Sequence, residues 1–198
     1  DEIITLATNG ADTSDIILRS TLGNTVNGES ITFNAGALGD VTVTGAVGDL
    51  TTGDIVITDA FNATFSSTVD ADNFTQVDGQ GTTLFSDTID LAANFDFTGN
   101  NLTINGAGNT IDGDFDANLN TAAGVLTFGN SATTTVGGAL TQDIIGAVAN
   151  TGVVIGANLT TTGNGSEIDF ESAVTLTGDA DEIITLATNG ADTSDIIL

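Results

Sequence analysis

The side chains in this sequence that could do chemistry are nearly all carboxylates. Asp and Glu number 27 against a single base, Arg19, and there is no His, Cys, Tyr or Lys. Three acids alternate in the stretch IDGDFDAN: Asp112, Asp114 and Asp116. Alternate residues of a strand share a face, so this spacing predicts three carboxylates projecting together, with Phe115 turned inward. Ca2+ takes about six to eight oxygens, and clustered Asp with nearby carbonyls could supply them. The plainer reading is a solvated acidic face. Neither the EF-hand loop pattern nor the calcium-roll nonapeptide is present. Asp179, Asp181 and Glu182 form a second candidate Ca2+ site, joined by Asp12 and Asp15 if coils are short. Like charges stacked there cost energy unless a cation bridges them. Asp70 and Asp72 form a further pair.

Catalysis fits the sequence poorly. Asp87 with Asp90, or Asp169 with Glu171, could act as acid and nucleophile on a glycosidic bond. A lyase acting on acidic sugars, however, needs basic groups to hold carboxylates and take protons, and Arg19 stands alone. No Trp or Tyr offers a platform for a sugar ring. The expectation is a non-enzyme that requires no cofactor. The Thr-x-Thr pairs Thr42/Thr44, Thr133/Thr135 and Thr160/Thr162 are scattered, and β-propensity explains them better than an ice-binding array.

The elements that must position these residues are announced by a repeat. Asp1 to Leu18, DEIITLATNGADTSDIIL, recurs letter for letter as Asp181 to Leu198. The chain therefore reads as one 180-residue unit, residues 1–180, followed by the start of the next, residues 181–198. Such an array points to a structural or adhesive fibre. The formal net charge is −26. Of the 27 acids, four lie in residues 181–198, so one unit holds 23 acids and one Arg, a charge of −22. Salt or cations must screen it, and nucleic acid and anionic membranes are poor partners. With no Cys there is no disulfide staple, and with no Lys no isopeptide staple.

Short runs of alternating β-formers recur about every ten residues, among them Ile31–Phe33, Val41–Thr44, Phe95–Thr98 and Val125–Phe128. Asn-Gly and Asp-Gly turn dipeptides separate them, as at Asn105-Gly106 and Asp112-Gly113. No segment carries a capped helical period, and no apolar run approaches the roughly 20 residues of a membrane span. The pattern fits a β-sandwich or a β-solenoid. The lack of Trp, Tyr and Pro favours the solenoid, whose narrow core stacks small β-branched residues and Phe. Coils of about 20 residues would give about nine per unit and an axial advance of about 43 Å. A whole number of coils would put Ile3–Leu6 and Ile183–Leu186 at equivalent places. Strand centres predict core positions that include Ile4, Leu6, Ile17, Phe33, Val43, Ile57, Phe65, Phe85, Phe97, Ile104, Phe128, Val154, Ile168, Phe170 and Leu176.

Two stretches carry a family resemblance. ITFNAGALGDVTVTGAVGDLTTGDIVITDAFNATFSSTVDADNF and NNLTINGAGNTIDG resemble the repeats of giant bacterial surface proteins of the filamentous-haemagglutinin-like and autotransporter-like type. The shared features are ITF and VTVTG strands, Gly and Asn turns and Thr-rich outer positions. The resemblance implies an all-β, right-handed parallel β-helix, export to the bacterial cell surface and an adhesive or scaffolding role. On this reading the chain is an extracellular stalk whose main partner is itself, with a surface glycan or another cell-surface molecule as a further partner. The alternative is a calcium-dependent adhesion array of separate β-sandwich domains.

Overall fold

A strand of alternating apolar and polar residues has one dry face and one wet one. Here every dry face is turned to a common axis. A computed structural model describes residues 3–8, 13–23, 28–48, 52–120, 123–144, 152–178, 183–189 and 194–198. Those residues form parallel strands wound as a β-solenoid, with no helix among them. Face A has nine strands: Ile3–Ala7, Glu29–Gly36, Thr52–Ala60, Phe74–Gln76, Phe95–Gly99, Phe115–Leu119, Leu140–Ile144, Ile168–Phe170 and Ile196–Ile197. Face B has eight: Ile16–Leu18, Val41–Val43, Ala63–Phe65, Thr82–Phe85, Asn101–Ile104, Val125–Phe128, Gly152–Ile155 and Ala173–Leu176. Face C has six: Val69–Ala71, Ile89–Leu91, Asn109–Ile111, Thr134–Val136, Leu159–Thr161 and Leu186–Thr188. Parallel bridges from Leu22 to Val47 and from Val47 to Val69 extend face C toward the first coils. All the pairings among described residues are parallel, so the chain is not built of antiparallel sandwich domains.

The registers stack like on like. One inward column of face A runs Ile4, Ile31, Ile55, Phe74, Phe95, Phe115, Leu140, Ile168 and Ile196. Face B answers with Leu18, Val43, Phe65, Phe85, Ile104, Phe128 and Ile155. Phe95 and Phe115 stack at 4.7 Å between ring centres, and Phe65 and Phe85 at 5.0 Å. The two columns meet edge to face, Phe74 against Phe85 at 5.1 Å, an arrangement the ring quadrupoles favour.

Three expectations are corrected. The first concerns coil length. Ile55, Phe74, Phe95 and Phe115 follow at 19, 21 and 20 residues, but Phe115 to Leu140 takes 25, and Leu140 to Ile168 and Ile168 to Ile196 take 28 each. From Ile4 to Ile196 the eight steps span 192 residues, or 24 per turn. The extra residues fall between strands, and the parallel pairing of the strands continues across the longer steps. Next, two inward phases are reversed. Ile16 and Leu18 face the core while Ile17 is 46% exposed, and Val153 and Ile155 are buried where Val154 is not. In the runs IIL and VVI every residue is apolar, so alternation gives no phase. Ile4 and Leu176 do lie in inward columns but stay exposed, because they belong to terminal coils covered on one side only.

The last correction concerns the repeat. Leu6 lies on face A, paired with Phe33, but its copy Leu186 lies on face C, paired with Leu159. Ile16 lies on face B, paired with Val41, and its copy Ile196 lies on face A, paired with Ile168. The 180-residue offset therefore covers seven turns and two further faces, not a whole number of coils.

Candidate functional site

Two surfaces concentrate the polar chemistry: the corners and the outer side of face A. At the corner leading into face A, short side chains form a ladder along the axis. Asn73 Nδ2 donates to Asp54 Oδ1 at 2.7 Å, Asn94 N to Asn73 Oδ1 at 3.0 Å, Asp114 N to Asn94 Oδ1 at 2.9 Å, and Ala139 N to Asp114 Oδ1 at 2.8 Å. The corner leading into face B repeats the device. Asp40 N donates to Asp15 Oδ1 at 2.9 Å, Asn62 N to Asp40 Oδ1 at 3.0 Å and Thr82 N to Asn62 Oδ1 at 2.9 Å. A corner N–H that leaves the sheet needs an acceptor, and the side chain one coil below supplies it.

On face C the ladder moves inside. Asn109 is 1% exposed. Its Oδ1 accepts from Ile89 N at 3.0 Å, and its Nδ2 donates to Gly106 O at 2.8 Å and to Thr134 Oγ1 at 3.2 Å. Gln76, also buried, accepts from Thr83 Oγ1 at 2.7 Å. Sequence reasoning did not find these buried polar residues. The signal was partial: each has a buried apolar residue two positions away on the same side of its strand, Phe74 before Gln76 and Ile111 after Asn109.

The candidate cation residues are placed as follows. Asp112 and Gly113 make a corner, so strand alternation does not run through 112–116. Asp114 is a rung of the corner ladder. Only Asp116 projects from a strand, with Phe115 buried beside it as expected. Asp179, Asp181, Glu182 and Asp12 lie outside the described residues. Asp15 accepts the Asp40 N–H, and Asp70 stands in register with Asp90 on the outside of face C. Among the described residues no group of three or more acids is arranged to hold a metal ion.

The outer side of face A nevertheless carries an acidic stripe. Asp96 is in register with Asp116, Asp116 with Thr141, and Thr141 with Asp169, while Asp143 stands over Asn118. Thr141 Oγ1 donates to Asp116 Oδ1 at 3.2 Å, which relieves one carboxylate. Partial desolvation, then Asp116 and Asp114, raises the Asp96 carboxyl above its ordinary range. Desolvation, then Asp116, Glu171 and Asp169, raises Asp143. Asp59 is raised by desolvation and then by Asp78, and its buried Oδ1 has no hydrogen-bond partner.

One member of each pair weighed for catalysis accepts a backbone N–H. Asp87 Oδ1 accepts from Thr88 N at 2.8 Å, and Glu171 Oε2 from Ile144 N at 3.1 Å. A hollow of about 390 Å³ is lined by Ile3, Gly28, Ser30, Gly53, Asp54 and Asp72. Within it Asp54 is held by Asn73. These arrangements do structural work: they align coils and keep the outside charged. No family model, curated protein or solved structure matches the chain.

Proposed function

We propose that this chain is part of an extracellular stalk or filament at a bacterial surface, built from tandem solenoid units, and that its action is mechanical. The observation that carries the reading is the recurrence of residues 1–18 at 181–198 within one uninterrupted stack of parallel coils. A solenoid is extended by adding coils, each pairing with the last, so length grows without a new fold. The sheet edges and apolar side chains at both ends suit such growth. In the inward columns, Ile4 is 43% exposed in the first coil, and Leu176 and Ile196 are 60% and 42% exposed in the last coils. The charge of −22 per unit keeps fibres apart at low salt. The likeness to filamentous-haemagglutinin-like repeats points the same way.

Electron microscopy of the native material, with the power spectrum taken along its axis, tests the reading. A meridional reflection near ~4.8 Å is expected along an unbranched fibre. Isolated globular particles, or beads lacking that reflection, would overturn it.

A further inference from the structure

The two copies of the eighteen-residue stretch are chemically identical, yet they occupy different faces of the solenoid. Their inward and outward sides do not change. Leu6 lies in the inward column of Phe33 on face A, and Leu186 in that of Leu159 on face C. Ile16 stands over buried Val41, and Ile196 over buried Ile168. Both strands of the stretch move back by one face together. This is permitted because a face asks only for an apolar–polar alternation of the right phase, which the motif brings with it. The spacing also fits on both sides. Leu159 to Leu186 is a step of 27 residues, and Leu6 to Phe33 is again 27. A following unit can therefore stack on the Leu186–Thr188 strand as the Glu29–Gly36 strand stacks on Ile3–Ala7.

We infer that consecutive units join end to end with each one turned back by one face, so that a given side chain returns to the same face only in every third unit. The partner of the terminal coil is the next copy of the unit, in this one rotational setting. The inference rests on the tandem-array reading above. One unit then advances seven turns and two faces, about 37 Å at ~4.8 Å per turn, and three units make 23 turns, about 110 Å. The acidic stripe of Asp96, Asp116 and Asp169 passes to face C in the next unit and face B in the one after. Charge is spread around the fibre instead of lining one side, and no flank is continuously neutral for sideways association.

The 198-residue chain is sufficient for the test, because it has no Cys of its own. Neighbouring parallel strands lie ~4.8 Å apart, within the span a disulfide bridges. The rotated setting puts Thr160 beside Ala187. An unrotated setting would instead put Thr185 in the column of Asp169, as Thr5 is in the column of Thr32. The variants are Thr160→Cys/Ala187→Cys and Asp169→Cys/Thr185→Cys, with Asp96→Cys/Asp116→Cys in the central coils as the benchmark pair. The melting temperature of each reduced variant checks that it is folded. Mild oxidation should close the first pair to the extent of the benchmark and leave the second reduced. Closure of the second pair, of both or of neither overturns the rotated setting. This outcome is independent of whether fibres form, which the axial power spectrum decides. In fibres that do form, a ~110 Å axial period supports the rotation, and a period of one unit overturns it.

Discussion

Asp59 shows how a single carboxylate can be held at a cost. It sits where the register between two face A strands slips, so its side chain is pulled partly inward. One oxygen is buried without a donor, and Asp78 lies near enough to raise its proton affinity further. Asp59→Asn removes the charge and supplies an N–H. We expect it to raise the melting temperature by a few degrees at neutral pH, read by circular dichroism; a fall would mean that the carboxylate has an unseen stabilising partner. Asp96 and Asp143 have raised affinities as well. A carboxyl whose folded pKa exceeds its unfolded one binds more proton when folded. Stability therefore rises as pH falls through the folded value and levels off below the unfolded one, the ordinary carboxylate range. Melting temperature should increase from pH 7 toward that range, and Asp96→Asn/Asp143→Asn should flatten the rise. An equal slope in the variant would place the effect on other acids.

At the scale of elements, corners and ladders set how coils stack. Asn109→Ala would leave the Ile89 N–H and the Gly106 carbonyl without their partners inside the core. Two buried orphans cost about 2–4 kcal/mol together, which chemical denaturation would read. A loss under ~1 kcal/mol would show that the corner closes around the gap. Gly137 is a close-approach position. A Cβ there would sit 2.0 Å from the Asp112 carbonyl oxygen of the coil below. Gly137→Ala must splay two coils, and we expect a loss of about 1–3 kcal/mol. At Gly23 an added Cβ meets no atom of the described residues within 4 Å, so Gly23→Ala should be near neutral. If both substitutions behave alike, the corner is not tightly packed.

At the scale of the whole molecule, shape and charge oppose each other. A narrow stack buries its apolar columns, and a chain of 27 acids and one Arg leaves the outer side of its described strands rich in carboxylates. Salt should raise the melting temperature steadily by screening that repulsion. EDTA at matched ionic strength should leave it unchanged, since backbone ladders and corner side chains join each described coil to the next without a bridging ion. A drop of several degrees on chelation, restored by Ca2+, would point to a cation outside the described residues, with Asp179, Asp181 and Glu182 the first to substitute.

Much of the fold was legible in the chain. Alternation, turn dipeptides and the lack of Trp, Tyr and Pro are local properties; they favour a solenoid over a sandwich, and the parallel pairing of the strands decides between the two. Phe33, Phe65, Phe97 and Phe128 are buried as their strand positions foretold. Ile17 and Val154 were misplaced because a run of three apolar residues has no internal phase, and only the neighbouring coil chooses its inward side. Asp112, Asp114 and Asp116 look like one strand's outer row, but the corner that separates Asp112 from Asp116 follows from where coils turn. The same holds for the repeat. Identity at an offset of 180 is written in the sequence. That the copies lie on different faces was decided by the summed lengths of all the corners between them, a quantity fixed by stacking and by no single stretch.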